Sequence, residues 1–233
     1  QNIKESRHKQ ELNDNLINNR NENVHVYDAL ADFNKTIFDA KITCGIGLRS
    51  QNIYSSANLS DQKGNHFYNT TRYPDGGSLV QDYFAYSQII LPLIKKIDLV
   101  IGGRWNKNHL TATFKDTSTF QLPFSTISNR NQSFINSILL TYKATNNTTF
   151  NASYYNGFRN PNIDDIGKVF SKNNNSVVVP NADLEAEYSG NLEISIDYSM
   201  EKIQIQMQLF NTEINNAISR EFASINGSDS LEY

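Results

Sequence analysis

Histidine, cysteine and clustered carboxylates are the side chains of this 233-residue sequence that could do chemistry. The four histidines, His8, His25, His66 and His109, show no i, i+4 pairing and no metal-ligand spacing, so they read as scattered polar residues. Cys44 is the single cysteine, which excludes a disulfide framework and a Cys-based zinc site. It sits on the apolar side of an alternating run and fits a packed small hydrophobe better than a nucleophile. Carboxylates gather at Asp164-Asp165 and at Asp183, Glu185 and Glu187. A glycosidase pair or a calcium loop uses such groups. No Asp-x-Asp-x-Asp-Gly pattern accompanies them, and they are expected to form a solvated loop face. Gly45-Ile-Gly47 and Gly102-Gly103 lack the following helix that a phosphate loop needs; in strands they allow bending or close backbone approach. No Ser-centred elbow or Cys-centred catalytic pattern occurs. The sequence thus names no catalytic, metal-binding or cofactor-binding residue, requires no cofactor, and argues against an enzyme.

The elements that carry these residues announce themselves by alternation. Leu192, Ile194, Ile196 and Tyr198 interleave with Asn191, Glu193, Ser195 and Asp197, and after a tight link at 199–202 the pattern resumes. Ile203, Ile205, Met207 and Leu209 then alternate with Gln204, Gln206 and Gln208. Two such runs joined by a few residues form an antiparallel hairpin. Similar runs lie at 24–33, 38–49, 83–91, 97–105, 134–143 and 150–158, which gives about eight strands. Short turns are expected near 34–36, 93–97, 144–148 and 199–202, and long polar loops at 50–80, 107–129 and 159–187. The ends, 1–20 and 218–233, read as further loop, and Gln1 without a leader pattern marks a mature product or a fragment.

Short and long links alternate strictly, so turns fall on one side of the sheet and loops on the other, as in outer-membrane barrels. No apolar run approaches 18 residues, so no transmembrane helix is expected; strands that alternate can still cross a bilayer. With 21 Lys+Arg against 24 Asp+Glu, the near-balanced charge argues against a nucleic-acid surface. Alternation alone leaves open whether the apolar face meets lipid or a second sheet. Long strands, very polar opposite faces and one-sided loops favour lipid. Tyr54, Phe67, Tyr68, Tyr73, Tyr83, Phe84, Trp105, Phe114, Phe158 and Tyr188 fall near strand ends or in loops, where interfacial aromatic girdles are expected.

The stretch Ala152-Ser-Tyr-Tyr-Asn-Gly157-Phe158-Arg159-Asn160-Pro161-Asn162-Ile-Asp164-Asp165 resembles a signature of TonB-dependent outer-membrane receptors. There, a barrel strand ends in Gly-Phe-Arg-x-Pro-Asn and enters an extracellular loop. The return, Pro180-Asn181-Ala-Asp183-Leu184-Glu185-Ala-Glu187, is similar to the family's Asn-Pro-Asp-Leu-x-Pro-Glu, with Ala182 and Ala186 standing where Pro is usual. Upstream, the strand from Ile97 ending in Gly103-Arg104-Trp105 looks like the family's strand ending in Gly-x-Arg-Tyr. The resemblance implies an all-β fold: residues 1–233 as part of a barrel of about 22 strands with a plugged lumen. The turns would be periplasmic and the loops extracellular. The plug, the segment contacting TonB, the remaining strands and the closing strand would lie outside this sequence. Gly157, Phe158, Arg159, Pro161, Asn162, Asp164 and Asp165, with Pro180, Asn181, Asp183, Leu184 and Glu187, would be the family's motif residues, Arg159 and Asp164 serving as corner members rather than ligand contacts.

The function so implied is TonB-coupled uptake of a scarce nutrient, of siderophore, haem, cobalamin or glycan class, in the outer membrane of a Gram-negative bacterium. Its partners would be lipid, the plug, TonB and the ligand, with no nucleic acid. Two alternatives remain at this level: a passive porin or adhesin of the outer membrane, and a soluble secreted carbohydrate-binding β-sandwich.

Overall fold

The computed structural model describes residues 2–8, 16–117, 124–167, 170–173, 176–179, 181–219, 221–225 and 228–232. In chain order the elements are β1 (Asn2–His8), β2 (Ile17–Ile37), β3 (Ala40–Ser60), β4 (His66–Tyr68), β5 (Ser78–Ile94), β6 (Ile97–Thr113) and β7 (Thr126–Lys143). Then follow β8 (Thr148–Arg159), α1 (Ile163–Ile166), β9 (Phe170–Asn173), β10 (Ser176–Val179), β11 (Glu187–Met200), β12 (Ile203–Asn215), β13 (Glu221–Ile225) and β14 (Ser228–Glu232). Ten strands make one sheet in the order β1-β2-β3-β5-β6-β7-β8-β11-β12, with β4 paired to β3. A second sheet of four short strands runs β13-β14-β10-β9. The eight long strands expected from alternation are β2, β3, β5, β6, β7, β8, β11 and β12.

Each long strand pairs antiparallel with its neighbour, and the short turns gather at one end. The β2–β3 link is only Phe38-Asp39, because Ile37 still pairs with Ala40. Phe38 therefore belongs to the turn, at φ 52° and 98% exposed, not to the following strand. The expected turn at 34–36 was drawn by Asn34, a common turn residue; here its side chain instead accepts from Thr43 across the ladder at 2.7 Å.

At the other end the strands run on into stretches expected to be loop. β3 reaches Ser60, β5 starts at Ser78, β6 reaches Thr113 and β7 starts at Thr126. The ends, expected as loop, likewise hold β1, the start of β2, β13 and β14. Strands β2 and β3 have 21 residues each, whereas about 9–11 tilted residues cross a bilayer. The surplus is rich in Asn, Ser and Thr on both faces, so no alternation in hydropathy marks it.

Register assigns every side chain to a face. On one face Ala31 meets Ile46, Ile89 meets Ile101, Leu99 meets Leu140, Ala152 meets Ile194, and Ile196 meets Met207. These groups are bare: Ile46 is 65% exposed, Phe134 63% and Leu209 78%. Among the described residues no second sheet packs on them, which overturns the β-sandwich alternative. Tyr27, Tyr83, Trp105, Phe134 and Tyr154 close this apolar band toward the long-link end. Tyr142, stacked on Phe150 at 6.3 Å, lies near the turn end. Of the aromatics expected in girdles, Tyr83 and Trp105 take such places. Phe84 points to the opposite face, and Tyr73 and Phe114 join a core described below.

The opposite face is polar and internally paired. Arg49 bonds Asp28 at 2.6 Å, Lys143 bonds Asp98 at 2.6 Å, and Asn108 donates to Asp82 at 2.8 Å. Gly45 and Gly47 leave space on this face for two rings of β5. A Cβ at Gly45 would lie 2.5 Å from Tyr86, and one at Gly47 would collide with the Phe84 ring. The rings cover backbone that glycine leaves bare; Tyr86 donates to Asp32, and the Arg104 guanidinium stands 4.0 Å over Phe84. Toward the long-link end this same face turns apolar. Ile53, Leu110, Ala112 and Ile127 form a buried core with Phe114, Ile163 and Ile166, so the long links fold onto the polar side.

Two outcomes follow. Expressed alone in water, the 26.5 kDa chain aggregates, because the bare band and the outer edges of β1 and β12 seek partners; a monodisperse soluble species contradicts this. In the parent barrel, Gly47→Val costs about 1–3 kcal/mol in denaturant unfolding and Phe84→Ala relieves it; strictly additive effects of the two changes would refute the ring–glycine contact.

Candidate functional site

The long-link end is where chemistry-bearing residues meet. Strand β8 stops at Arg159, and Pro161, fully buried, cannot donate to a ladder. Asn162 then caps α1: its Oδ1 accepts from the backbone N–H of Asp164 at 2.8 Å and of Asp165 at 3.1 Å. Asp165 closes the capping box by accepting from the Asn162 N–H at 2.9 Å. Arg159 Nη1 donates to Asp165 at 2.7 Å and its Nε donates to Glu187, which also accepts from the Ile218 N–H at 2.6 Å. One guanidinium thus ties the end of β8, α1, the start of β11 and the chain beyond β12. Hydrogen bonding by Arg159 holds the Glu187 carboxyl below its ordinary range, and the same bond raises Arg159.

The buried face of α1, Ile163 and Ile166, packs into the core, while Asp164 turns toward the 69–77 segment. Tyr73 Oη donates to Asp164 at 3.1 Å and Arg72 approaches it at 3.5 Å. Burial, reinforced by the Asp164 charge, pushes the Tyr73 phenol up to about 12. Pro74, in this segment, is fully buried. Gly77 adopts φ 94° there, and its carbonyl accepts from the Thr113 N–H at 3.0 Å. Asp75 accepts from the backbone of Lys115 and Asp116 at 2.8 and 3.1 Å. On the return, Asn181 accepts from the Asp183 N–H at 2.9 Å, and Asn129 donates to the carbonyls of Ala182 and Leu184 at 2.7 and 2.9 Å.

The solvated-face expectation is therefore corrected for three carboxylates. Asp164, Asp165 and Glu187 are bonded into the corner; Asp183 and Glu185 are exposed. Spacing already held the missed signal, since Asn162 and Asp165 stand as N-cap and N3. Of the motif residues, the structure joins Arg159, Asn162, Asp164, Asp165 and Glu187 by direct hydrogen bonds, Asp164 through its backbone N–H to Asn162 and its carboxylate turning to Tyr73. Gly157 pairs with Ser189 and Phe158 with Tyr188, while Leu184 packs against the core. Pro180 lies outside the described residues.

Below the corner, a cavity of about 530 Å³ opens on the polar face, lined by Asp28, Arg49, Asp82, Phe84, Arg104 and Asn106, with Phe158 and Asn160 at its rim. Asn106 and Ser133 sit opposite each other and are each 3% exposed. Asn106 Nδ2 and Ser133 Oγ find no hydrogen-bond partner among the described residues. Charges of both signs and amides stand here beside Ala29, Leu30, Leu48 and the Phe84 ring, a mixed polar and apolar surface. Among the described residues no three His, Cys, Asp or Glu side chains converge as a metal site would require.

A single sheet with one bare apolar band and one paired polar face is the wall of a transmembrane β-barrel. The family model described as TonB dependent receptor-like, beta-barrel matches residues 5–230, and the chain belongs to that family. Among solved structures it is similar to the copper transporter OprC, with TM-score 0.71 at 11% identity over 93% of this chain and 33% of that one. It is also similar to the hemophore receptor HasR of Serratia marcescens, in complex with its hemophore and heme (TM-score 0.64, 11% identity, 94% and 38% coverage). The ferric yersiniabactin uptake receptor FyuA of Yersinia pestis gives 0.58 at 16% identity, over 86% and 30%. The chain thus spans about a third of the length of these proteins. Among curated proteins, none matches in sequence.

Because Glu187 is held low, the folded corner binds fewer protons than the unfolded chain. Its contribution to stability is full above the unfolded pKa, about 4.3, and is lost as pH falls through the folded value. In the parent protein, protection of the Ile218 amide, corrected for intrinsic exchange, therefore falls in acid and becomes pH-independent in Glu187→Gln. Arg159→Ala weakens it by about 1 kcal/mol, a figure held down by the exposure of the guanidinium. Equal acid loss in Glu187→Gln would refute the link.

Proposed function

We propose that residues 1–233 form part of the barrel of an outer-membrane receptor for TonB-coupled uptake of a scarce nutrient in a Gram-negative bacterium. The observation that carries this reading is the division of one sheet into a bare apolar band and a charge-paired opposite face, joined to family membership over 5–230. The cavity around Arg49, Asp82 and Arg104 on the polar face supports contact with a plug domain. TonB acts on such a receptor through the part that bears the plug, outside these residues. The corner built on Gly157, Phe158, Arg159, Pro161, Asn162, Asp164 and Asp165, with Asn181, Asp183, Leu184 and Glu187 on the return, holds the mouth loops in place. It carries no reaction, and the protein is a transporter rather than an enzyme. Copper, heme and ferric yersiniabactin, named for the similar structures, agree with scarce-nutrient uptake. The ligand class for this chain is siderophore, haem, cobalamin or glycan.

Deleting the parent gene tests the reading. Growth on one limiting iron, haem, cobalamin or glycan source falls, returns with the gene, and falls again when TonB is removed. Uptake that ignores TonB marks a passive pore, and unchanged growth on every source overturns the proposal.

A further inference from the structure

Carboxylates are sorted between the two faces of the sheet, whereas cations stand on both. From β2 to β11 every strand carboxylate, Glu22, Asp28, Asp32, Asp82, Asp98, Glu187, Glu193 and Asp197, takes the polar-face position in its register. Yet acids outnumber Lys and Arg in the chain, 24 to 21. The apolar-band face carries cations instead. Just past the aromatic row, Lys107 stands opposite Tyr83 and Gln132, and His109 opposite Gln81 and Arg130. Lys107 and Arg130 are exposed, and neither has an ion-pair partner among the described residues. His109 Nε2 lies 3.1 Å from Ser128 Oγ and 3.3 Å from Thr111 Oγ1, so hydroxyls join the patch. The one acid on this face of the large sheet's later strands is Glu213, on edge strand β12 and three strands from β7.

A face that met only water would carry both signs. We infer that Lys107, His109 and Arg130 form a docking surface for the phosphate headgroups of the lipid leaflet on the mouth side. The inference rests on the membrane reading above. Lys107 lies two residues, about 7 Å, past Trp105, and Arg130 four residues, about 14 Å, past Phe134. At a strand tilt of about 45° these become roughly 5 and 10 Å above the aromatic row. That is the headgroup layer, where anionic lipids attract basic side chains. Carboxylates there would repel the same phosphates, which accounts for their confinement to the other face.

The test uses the full-length parent protein in non-ionic detergent micelles doped with phosphatidic acid, with phosphatidylcholine, or supplied with inorganic phosphate. Lipid retained on the barrel is counted by native mass spectrometry. The wild type retains phosphatidic acid saturably and in preference to phosphatidylcholine, and added salt weakens the binding. K107Q/R130Q binds phosphatidic acid about tenfold more weakly with phosphatidylcholine unchanged, while K107R/R130K keeps the preference. Equal binding of the two lipids by the wild type, or unaltered binding by K107Q/R130Q, overturns the inference. Full competition by inorganic phosphate also overturns it, as the mark of a small-anion site. Should K107Q/R130Q fail to fold, the wild-type lipid preference, its salt dependence and K107R/R130K still decide. A parent protein that supports TonB-dependent growth yet shows no lipid preference loses only this assignment.

Discussion

Hydrocarbon offers no hydrogen bonds, so a chain that crosses it must satisfy each backbone N–H and C=O with another backbone group. The ladder from β1 to β12 does this strand by strand, and every other feature follows from it. Because pairing fixes register, it also fixes which side chains meet oil. Ile46, Ile101 and Leu209 can be bare only where lipid covers them. Asp28 with Arg49, and Asp98 with Lys143, are stable only on the side that water or protein reaches.

The same constraint shapes the mouth. Once the strands pass the bilayer, their polar-side positions turn to Ile53, Leu110, Ala112 and Ile127, and the links collapse onto them. A small core thus forms outside the membrane from residues that below it would face the lumen. Arg159 then locks the collapsed links to the sheet through Asp165 and Glu187. Packing supplies the drive and charge-assisted bonds supply the position.

Alternation made the lower half of the wall legible from sequence. Ile194, Ile196 and Tyr198 pair with Leu209, Met207 and Ile205 in the hairpin that the pattern implies. The resemblance around Gly157 to Asp165 led to the family that the wider match shows. What escaped did so for physical reasons. The strand extensions mix Asn, Ser and Thr into both faces, even the one that the long links bury, so hydropathy has no clean period there. Phe84 and Tyr86 count as apolar by type, but Gly47 and Gly45 give them room on the polar face. Asp164 and Asp165 look like solvated acids until the cap at Asn162 is seen. Phe38 took a turn position whose φ favours glycine, a choice no propensity would suggest.

Strands of 21 residues make this wall far taller than the oil it crosses. At about 3.4 Å per residue and a tilt near 45°, β2 and β3 rise roughly 50 Å, against a hydrocarbon layer of about 30 Å. The excess is a rigid chimney, ribbed by backbone ladders rather than hung on floppy segments. Two environments are thereby separated along one strand: oil dictates the lower storey, and water with the folded links dictates the upper. Side chains can change in the chimney without touching the residues that face the oil.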